Sequence, residues 1–431
     1  MLQLAALAPW LLRPRWLAAE AAPRDDFFIF IHAGGGWDVT LWADPRNERR
    51  GLVEPATPRT LDTGGLVHWK SAGDSFEIVA PAGALRLGPA IGKLLDLRDR
   101  LTIVNGLAMN TVSHEDGTNF SVTGRHRVGG VAPESSIDAL IASELGVAQM
   151  MPDISIKFPS AFVGDRLDRR AVPMRVDAID SITQSLRRGN EYLDARDRSV
   201  IGALLADESA DLSHGATHPA VYDRLASQQH ALETLLGSDV ARALTTAGLQ
   251  AAHPQFEYRG LLGDLVVAAP FTVEAMRRNL VRCVSFGIGG FDTHTTNYRQ
   301  HGMRLQELFG MLATLVTTLD AIPHPALRNT KLSERTHILV VSDFCRTPQI
   351  NPGGGRDHYP NNSALVISPR FRAGVFGGTD PDQLLPVDTG LLGHEHRPIA
   401  PPDLLATFLA AFAIDPRRYM RDGAVARSLL V

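Results

Sequence analysis

The stretch HILVVSDFCRTPQINPGGGRDHYPNNSAL, residues 337–365, decides how the rest of the sequence is interpreted. Its apolar run, residues 338–341, ends abruptly before Asp343, which is typical of a parallel strand that is buried on both faces. In open α/β sheets, ligands bind just beyond the carboxyl ends of such strands. Asp343 occupies that position, and a glycine-rich loop then leads to Asp357 and His358. These side chains suit a divalent metal, although a loop-capping Asp and a surface His are the simpler interpretation.

The bulk composition excludes some classes of protein. The chain has 431 residues, of which 44% are hydrophobic and 21% charged, and its net charge is −4. These values are typical of a globular protein, and the net charge shows no excess of basic residues of the kind that nucleic-acid binding requires. The two cysteines, Cys283 and Cys345, lie in or beside apolar runs and are predicted to be buried free thiols, unless adjacent strand ends allow a disulfide.

The N-terminal segment resembles an export signal. An apolar run, MLQLAALAPWLL, is followed by small residues, LAAEAA, before a charged segment, but the usual basic region is missing in front of it. We therefore predict that residues 1–25 are a truncated export signal and that the protein is periplasmic, with a short amphipathic helix as the alternative. No stretch is long and apolar enough to span a bilayer, so we predict no stable membrane anchor.

An acid also follows the first predicted strand. Residues 27–31 are apolar, and the glycines at 34–36 form a tight turn before Asp38. The glycine spacing differs from the dinucleotide-binding fingerprint, and no Gly-Lys-Ser/Thr closes a phosphate-binding loop. The turn is therefore interpreted as a place where the backbone approaches a ligand closely.

Polar side chains follow two more predicted strands. The strand at 101–104 leads to Ser113 and His114 at the start of a possible helix, where a hydroxyl can cap the helix or act as a nucleophile. The strand at 280–287 ends in glycines and is followed by Asp292 and, two residues later, His294. An irregular loop allows this Asp-x-His pair to converge on one ion.

Apolar runs alternate with helical patterns, as in a doubly wound α/β protein. We predict a three-layer αβα architecture with a mostly parallel central sheet, forming one domain over residues 26–431. Helical patterns cover residues 89–100, 303–322 and 401–414. Residues 134–255 are predicted to be a helical insertion or cap on the sheet.

The ligand types restrict the metal. Oxygen and nitrogen ligands without a thiolate favour Zn, Mn, Mg or Ca, as one or two divalent ions. Two close ions would clamp the attacking and leaving oxygens of a phosphate or sulfate ester. The sequence leaves the metal and the number of ions open.

Five segments also carry a resemblance to a known family: HAGGGWDVT (32–40), SHEDGTNFSVTGR (113–125), GGFDTHTTNYRQHG (289–302), VVSDFCRTPQINPGGGRDHYPNNSALVI (340–367) and PPDLLATFLAAFAID (401–415). They resemble the DUF1501 family of bacterial proteins, which is similar to the alkaline phosphatase and sulfatase superfamily. The resemblance implies an alkaline phosphatase-like fold and metal-dependent hydrolysis of an ester. Family members usually carry a twin-arginine export signal, and LQLAALA resembles the part that follows its arginine pair.

The resemblance also implies roles for individual residues. By position, Asp38 corresponds to the first metal ligand, Asp292 and His294 to the next pair, and Asp343 and His358 to the late pair. The chain departs from the superfamily because its late Asp-His pair is displaced beyond a glycine loop. The sulfatase cysteine motif at the nucleophile is also missing.

The remaining implied roles concern the nucleophile and a further acid. The superfamily's nucleophile lies at a helix start after the second strand, which corresponds to Ser113 here, with His114 or Thr118 as alternatives. Asp357 is implied either as a ligand or as a neighbour of the ligands. The first functional hypothesis is an exported metal-dependent hydrolase of small-molecule or polymeric phosphate or sulfate esters. The alternative is a non-catalytic binding or assembly protein that retains the fold.

Overall fold

The structure, a computed structural model, describes residues 25–46, 49–54, 76–80, 83–164, 166–181, 196–197, 199–200, 203, 238–256, 260, 262–263 and 267–431. Residues 1–24 lie outside this set, so the export signal stays a prediction. Most of the middle of the chain, between residues 182 and 237, also lies outside it. Among the described residues, none of the helices combines the length and apolar character that crossing a bilayer requires.

An eight-stranded sheet forms the centre of the described chain, in the order β12-β4-β11-β8-β1-β7-β5-β6. The strands of the described residues are β1 Phe27–Ala33, β2 Phe76–Ala80, β3 Gly83–Leu87, β4 Leu101–Asn105, β5 Met151–Ile156, β6 Met174–Val176, β7 Val281–Ile288, β8 Thr336–Ser342, β9 Cys345–Arg346, β10 His358–Tyr359, β11 Ser363–Ile367 and β12 Gly374–Gly377. Outside the eight-stranded sheet, β2 pairs with β3 and β9 pairs with β10. Within this sheet β11 pairs antiparallel with β4 and β8, and the other pairs are parallel. The predicted mostly parallel sheet is therefore confirmed.

Helices cover both faces of this sheet. They are α1 His114–Thr123, α2 Ile137–Ile141, α3 Ser238–Ala243, α4 Thr246–Ala252, α5 Ala268–Arg277, α6 Asn297–Ala321 and α7 Pro401–Ala411. Alternate residues of the buried strand β1 enter two separate cores. Ile29 and Ile31 pack in the core that contains α5 and α6, whereas Phe28 and Phe30 pack in the core that contains α7. Helices on both faces explain why the central strands are continuous apolar runs.

Two regions differ in detail from the predicted local structure. Residues Pro89–Arg100 form 3₁₀ turns, because Gly92 and Leu97 have non-helical backbone angles that interrupt an α-helix. The region 134–255, predicted to be a helical insertion or cap, contributes β5 and β6 to the sheet, where β5 pairs with β7. Most of residues 182–237 lie outside the described residues, so the insertion or cap stays a prediction there. Both strands are short, and Pro152 and Asp153 interrupt the apolar pattern of β5, which hid the strand in the sequence.

Candidate metal centre

The carboxyl ends of three neighbouring strands meet at one edge of the sheet. Strands β7, β1 and β8 are adjacent and parallel, so the loops that follow them lie side by side. Asp292 follows β7 and Asp343 follows β8, while His32 lies near the end of β1. The antiparallel ribbon of β9 and β10 pairs His358 with Arg346 and returns it to the same edge. The fold thus brings together loops that are far apart in sequence.

Asp343 is a buried anchor at this edge. Its carboxylate lies 3.0 Å from His32 Nε2 and 2.7 Å from His114 Nδ1, and it accepts a hydrogen bond from the Gly35 amide at 3.0 Å. A Cβ on Gly35 would lie 2.5 Å from the backbone nitrogen of Asp292, so only glycine fits at this turn. Burial raises the pKa of Asp343, but the hydrogen bonds from His114 and His32 outweigh burial and lower it overall. Asp343 is therefore a carboxylate that orients imidazoles.

Asp292 is the point on which three imidazoles converge. Its Oδ1 lies 3.0 Å from His294 Nε2, 3.2 Å from His358 Nε2 and 3.4 Å from His114 Nε2. Arg346 donates to the same oxygen at 2.6 Å. Burial opposes ionisation of Asp292, but the hydrogen bond and charge of Arg346 dominate and lower its pKa to about 2. Ligand atoms of His114, Asp292 and His358 all lie within 4.8 Å of one another.

Hydrogen bonds at Nδ1 orient each of these three rings. His294 Nδ1 donates to Asp357 Oδ1 at 2.7 Å, and His358 Nδ1 donates to the Val112 carbonyl at 2.8 Å. His114 Nδ1 donates to Asp343 Oδ2 in the same way. In the neutral rings, each Nε2 is therefore an acceptor. This is the second-sphere arrangement that fixes the tautomer of metal-binding histidines.

The pKa shifts reflect these hydrogen bonds. The bond from His294 lowers the pKa of Asp357, so Asp357 accepts as a carboxylate. The hydrogen bond with Asp343 raises the pKa of His114. Each imidazole in the cluster thus lies beside an ionised acid, in a region that attracts positive charge.

Asp38 lies apart from this cluster. Its buried carboxylate accepts hydrogen bonds from Thr40 and from Asn297, and it forms an ion pair with Arg356 at 3.2 Å. Its backbone amide donates to His301 Nε2 at 2.7 Å. The structure therefore places Asp38 in a buried hydrogen-bond network beside the sheet and not with the other predicted ligands.

Ser113 is the N-cap residue of α1 and is exposed to solvent. Its side chain makes no capping hydrogen bond, unlike the usual serine at this position. Ser113 lies between Val112, whose carbonyl holds His358, and His114. Its position in the chain places it beside the cluster, and Thr118 lies one turn further along α1 in a cleft that His114 also lines.

Sequence reasoning missed two residues of this site, His32 and Arg346. Arg346 is fully buried and donates to the carbonyl oxygens of Gly35 and Gly36 as well as to Asp292. Two signals in the sequence could have indicated them. Arg346 is a cation in a segment predicted to be buried, and His32 is an imidazole at the end of the apolar run of β1. A buried charged group needs a partner, so each side chain could have been expected to contact an acid.

The chain has weak structural neighbours. One is the crystal structure of Ps i-CgsB in complex with k-i-k-neocarrahexaose, with 11% identity, a TM-score of 0.39, and coverage of 94% of this chain and 75% of that chain. Another, from Bacteroides thetaiotaomicron and described under the metabolism of multiple glycosaminoglycans, has 9% identity, a TM-score of 0.29, and coverage of 90% and 73%. TM-scores this low carry no conclusion, so the alkaline phosphatase-like fold stays a prediction.

The comparison by sequence is more informative. A search of curated proteins returns no match. The profile of one family, described as a protein of unknown function (DUF1501), matches residues 27–425, which include the sheet and every residue of the candidate metal centre. The chain therefore belongs to the DUF1501 family.

Proposed function

We propose that this protein is a metal-dependent hydrolase of phosphate or sulfate esters, with its metal held by His114, Asp292, His294 and His358. The observation that carries the proposal is the convergence of three Nε2 atoms on one carboxylate oxygen, at 3.0 to 3.4 Å. Acceptors that face one another repel unless a cation or a proton lies between them. Their Nδ1 atoms are already committed to acceptors, so the rings cannot relieve this repulsion by exchanging tautomers.

The donor set fits a transition metal. His114 Nε2 is buried and has no hydrogen-bond partner among the described residues, as expected of a ligand atom. Imidazoles favour Zn²⁺ and related ions over Mg²⁺ and Ca²⁺, which prefer oxygen. Asp343, Asp357 and the Val112 carbonyl would then orient the ligands from the second sphere. We therefore propose one Zn²⁺-type ion as the resident metal.

The chain's own residues supply the other requirements of ester hydrolysis. A bound divalent ion would polarise the ester and stabilise the negative charge that develops on it. Arg346 keeps Asp292 ionised, so its carboxylate can act as a ligand. The proposed nucleophile is the hydroxyl of Ser113, which makes no capping hydrogen bond. It lies at a helix N-terminus, where the helix dipole favours developing negative charge.

Space for the organic part of the ester lies beside His114. A cleft of about 450 Å³ is lined by His114, Thr118, Asn119 and Arg127, together with residues 159–161. Its volume is within the range of small-molecule sites. Glu115 also lines the cleft and forms an ion pair with Arg127, so the wall offers both donors and acceptors to a hydroxylated substrate, either a small molecule or the end of a polymer.

The test combines metal analysis with turnover. The purified protein, loaded with Zn²⁺ or Mn²⁺, is assayed on p-nitrophenyl phosphate and p-nitrophenyl sulfate. We expect about one tightly held ion, and we expect the His294→Ala/His358→Ala variant to lose the ion and more than about 100-fold of the turnover. His394→Ala, an exposed histidine in another loop, is the matched control and should change neither. Retention of metal and activity in the double variant would overturn the proposal.

One observation favours the non-catalytic alternative. Arg346 donates at 2.6 Å to the same Asp292 oxygen that the three imidazoles face, so a cation must share that oxygen with a guanidinium. A binding protein could use this cluster for structure alone. Metal binding without turnover on phosphate, sulfate and phosphonate esters would support that alternative, whereas loss of turnover in Ser113→Ala with metal retained would support the hydrolase.

A further inference from the structure

A second cluster of polar side chains is buried between helix α2 and the central sheet. Asp138 lies in α2, and Asp153 lies in the neighbouring strand β5. Their side chains are 0% and 1% exposed. Asp153 pairs in register with Cys283, and Ser155 with Ser285, so these side chains lie on the same face of the sheet. This cluster is independent of the candidate metal centre.

Serine hydroxyls surround Asp138. Ser136 donates to one carboxylate oxygen and Ser160 to the other, while Ser285 Oγ lies 3.4 Å from the second oxygen. Ser160 Oγ also lies 2.8 Å from Ser155 Oγ. The cluster therefore offers carboxylate and hydroxyl oxygens in an interior that is otherwise apolar.

Asp153 has no partner that would explain its burial. Neither of its carboxylate oxygens accepts a hydrogen bond from an N–H or hydroxyl donor among the described residues. Its carboxyl group faces that of Asp138, and burial followed by the charge of Asp138 raises its pKa well above the usual value. Burial also raises the pKa of Asp138. Two ionised carboxylates in the core are costly, so protons or a bound cation must balance their charge.

We propose that Asp138 and Asp153 bind one hard divalent cation, Ca²⁺ or Mg²⁺, with serine hydroxyls as further ligands. One shared proton would leave a net negative charge in the core, whereas a proton on each carboxyl group or one divalent ion would neutralise both. Ca²⁺ takes about six to eight oxygen ligands, and Mg²⁺ also prefers oxygen. The nearby Cys283 thiol stays neutral, because burial raises its pKa, and so it does not recruit a soft metal.

One residue links the cleft beside His114 to the buried carboxylates. The cleft beside His114 is also lined by Ser160 and Ala161. The Ser160 hydroxyl donates directly to Asp138, so it connects the cleft wall with the buried carboxylates.

The test measures thermal stability against cation concentration. Full-length protein is stripped with EDTA and melted with Ca²⁺, Mg²⁺ or neither, while bound ions are counted by elemental analysis. We expect one of the two ions to raise Tm by several degrees, with one equivalent retained after dialysis. Asp153→Asn, which preserves the shape of the side chain, should abolish both effects, and Asp388→Asn on the surface should abolish neither.

The same melts in the His294→Ala/His358→Ala background separate this site from the candidate metal centre. The Ca²⁺ or Mg²⁺ effect should persist there. The proposal is overturned if neither ion binds or raises Tm, or if Asp153→Asn leaves the ion effect intact. If Tm does not depend on Ca²⁺ or Mg²⁺ and Asp153→Asn is at least as stable as the parent protein, the two carboxyl groups share a proton and bind no cation.

Discussion

The Nε2 atoms of His294 and His358 lie 3.1 Å apart, and both face Asp292 Oδ1. The opposite nitrogen of each ring donates to an oxygen that can only accept, the Asp357 carboxylate or the Val112 carbonyl. Two neutral rings held in this way present lone pairs to each other. Such an arrangement is stable when a cation binds between the rings or when one ring is protonated.

The hydrogen bond from His294 to Asp357 gives the first prediction. Asp357→Asn removes the carboxylate that orients the ring, so the affinity for Zn²⁺ should fall about 10- to 100-fold, the usual effect of losing such a partner. Competition with a coloured chelator measures this affinity. Asp388→Asn alters another exposed Asp beside a histidine, His396, and should leave the affinity unchanged. Equal affinities for the parent and Asp357→Asn would exclude His294 as a ligand.

Asp38 gives a prediction of the opposite kind. Because it is buried and paired with Arg356, Asp38→Asn should lower the free energy of unfolding by about 3–5 kcal/mol, as when other buried ion pairs are broken. The metal content should stay the same, since the structure places Asp38 outside the cluster. Urea unfolding and elemental analysis check the two parts. Metal loss in a variant of normal stability would restore Asp38 as a ligand.

Gly117 controls how closely α1 approaches the site. A Cβ at this position would lie 2.4 Å from the backbone oxygen of Asp343, so Gly117→Ala should displace the helix that carries His114. We expect a loss of stability of about 1–3 kcal/mol, typical of overpacking, together with weaker metal binding.

Gly310 provides the comparison for this helix substitution. It lies inside α6, and a Cβ there would meet no atom of the described residues within 4 Å. Gly310→Ala should therefore stabilise the protein by about 0.5–1 kcal/mol, because alanine loses less entropy than glycine in a helix. Thermal melts of the two variants in parallel test the contrast, and similar shifts in Tm would contradict it.

Glu274 gives a prediction about pH. Burial opposes its ionisation, but hydrogen bonds from His253 and Arg277, with the charge of Arg278, lower its pKa from 4.5 to about 2. A lowered pKa in the folded state means that the unfolded chain binds the proton first, so folding stability falls as pH decreases. This contribution is complete above pH 4.5 and is lost between pH 4.5 and about 2.

The variant Glu274→Gln isolates this contribution. We expect it to be less stable than the parent at pH 7 and to lose less stability between pH 4.5 and pH 3. Urea denaturation at the three pH values gives the free energies of unfolding. Parallel pH dependence in the two proteins would show that Glu274 does not contribute to acid sensitivity.

The central strands could be predicted from the sequence because burial on both faces leaves a local trace. The apolar runs that became β1, β7 and β8 predicted both the strands and the acids beyond their ends. Strand β5 escaped prediction because its buried Asp153 interrupts the pattern. Its place in the sheet depends on pairing with β7, a contact between residues more than a hundred positions apart.

The sequence by itself determined the α/β class, the family and the acids and imidazoles that follow the strands. Only the tertiary structure decided which of them meet. It gathered Asp292, His294 and His358 around one point, whereas it paired Asp38 with the buried Arg356. It also added Arg346, whose role as a donor to Asp292 depends on a contact between distant loops. The physical reason is that apolar periodicity reports burial within one segment, whereas the direction of a side chain beyond a strand depends on turns and on partners that are distant in sequence.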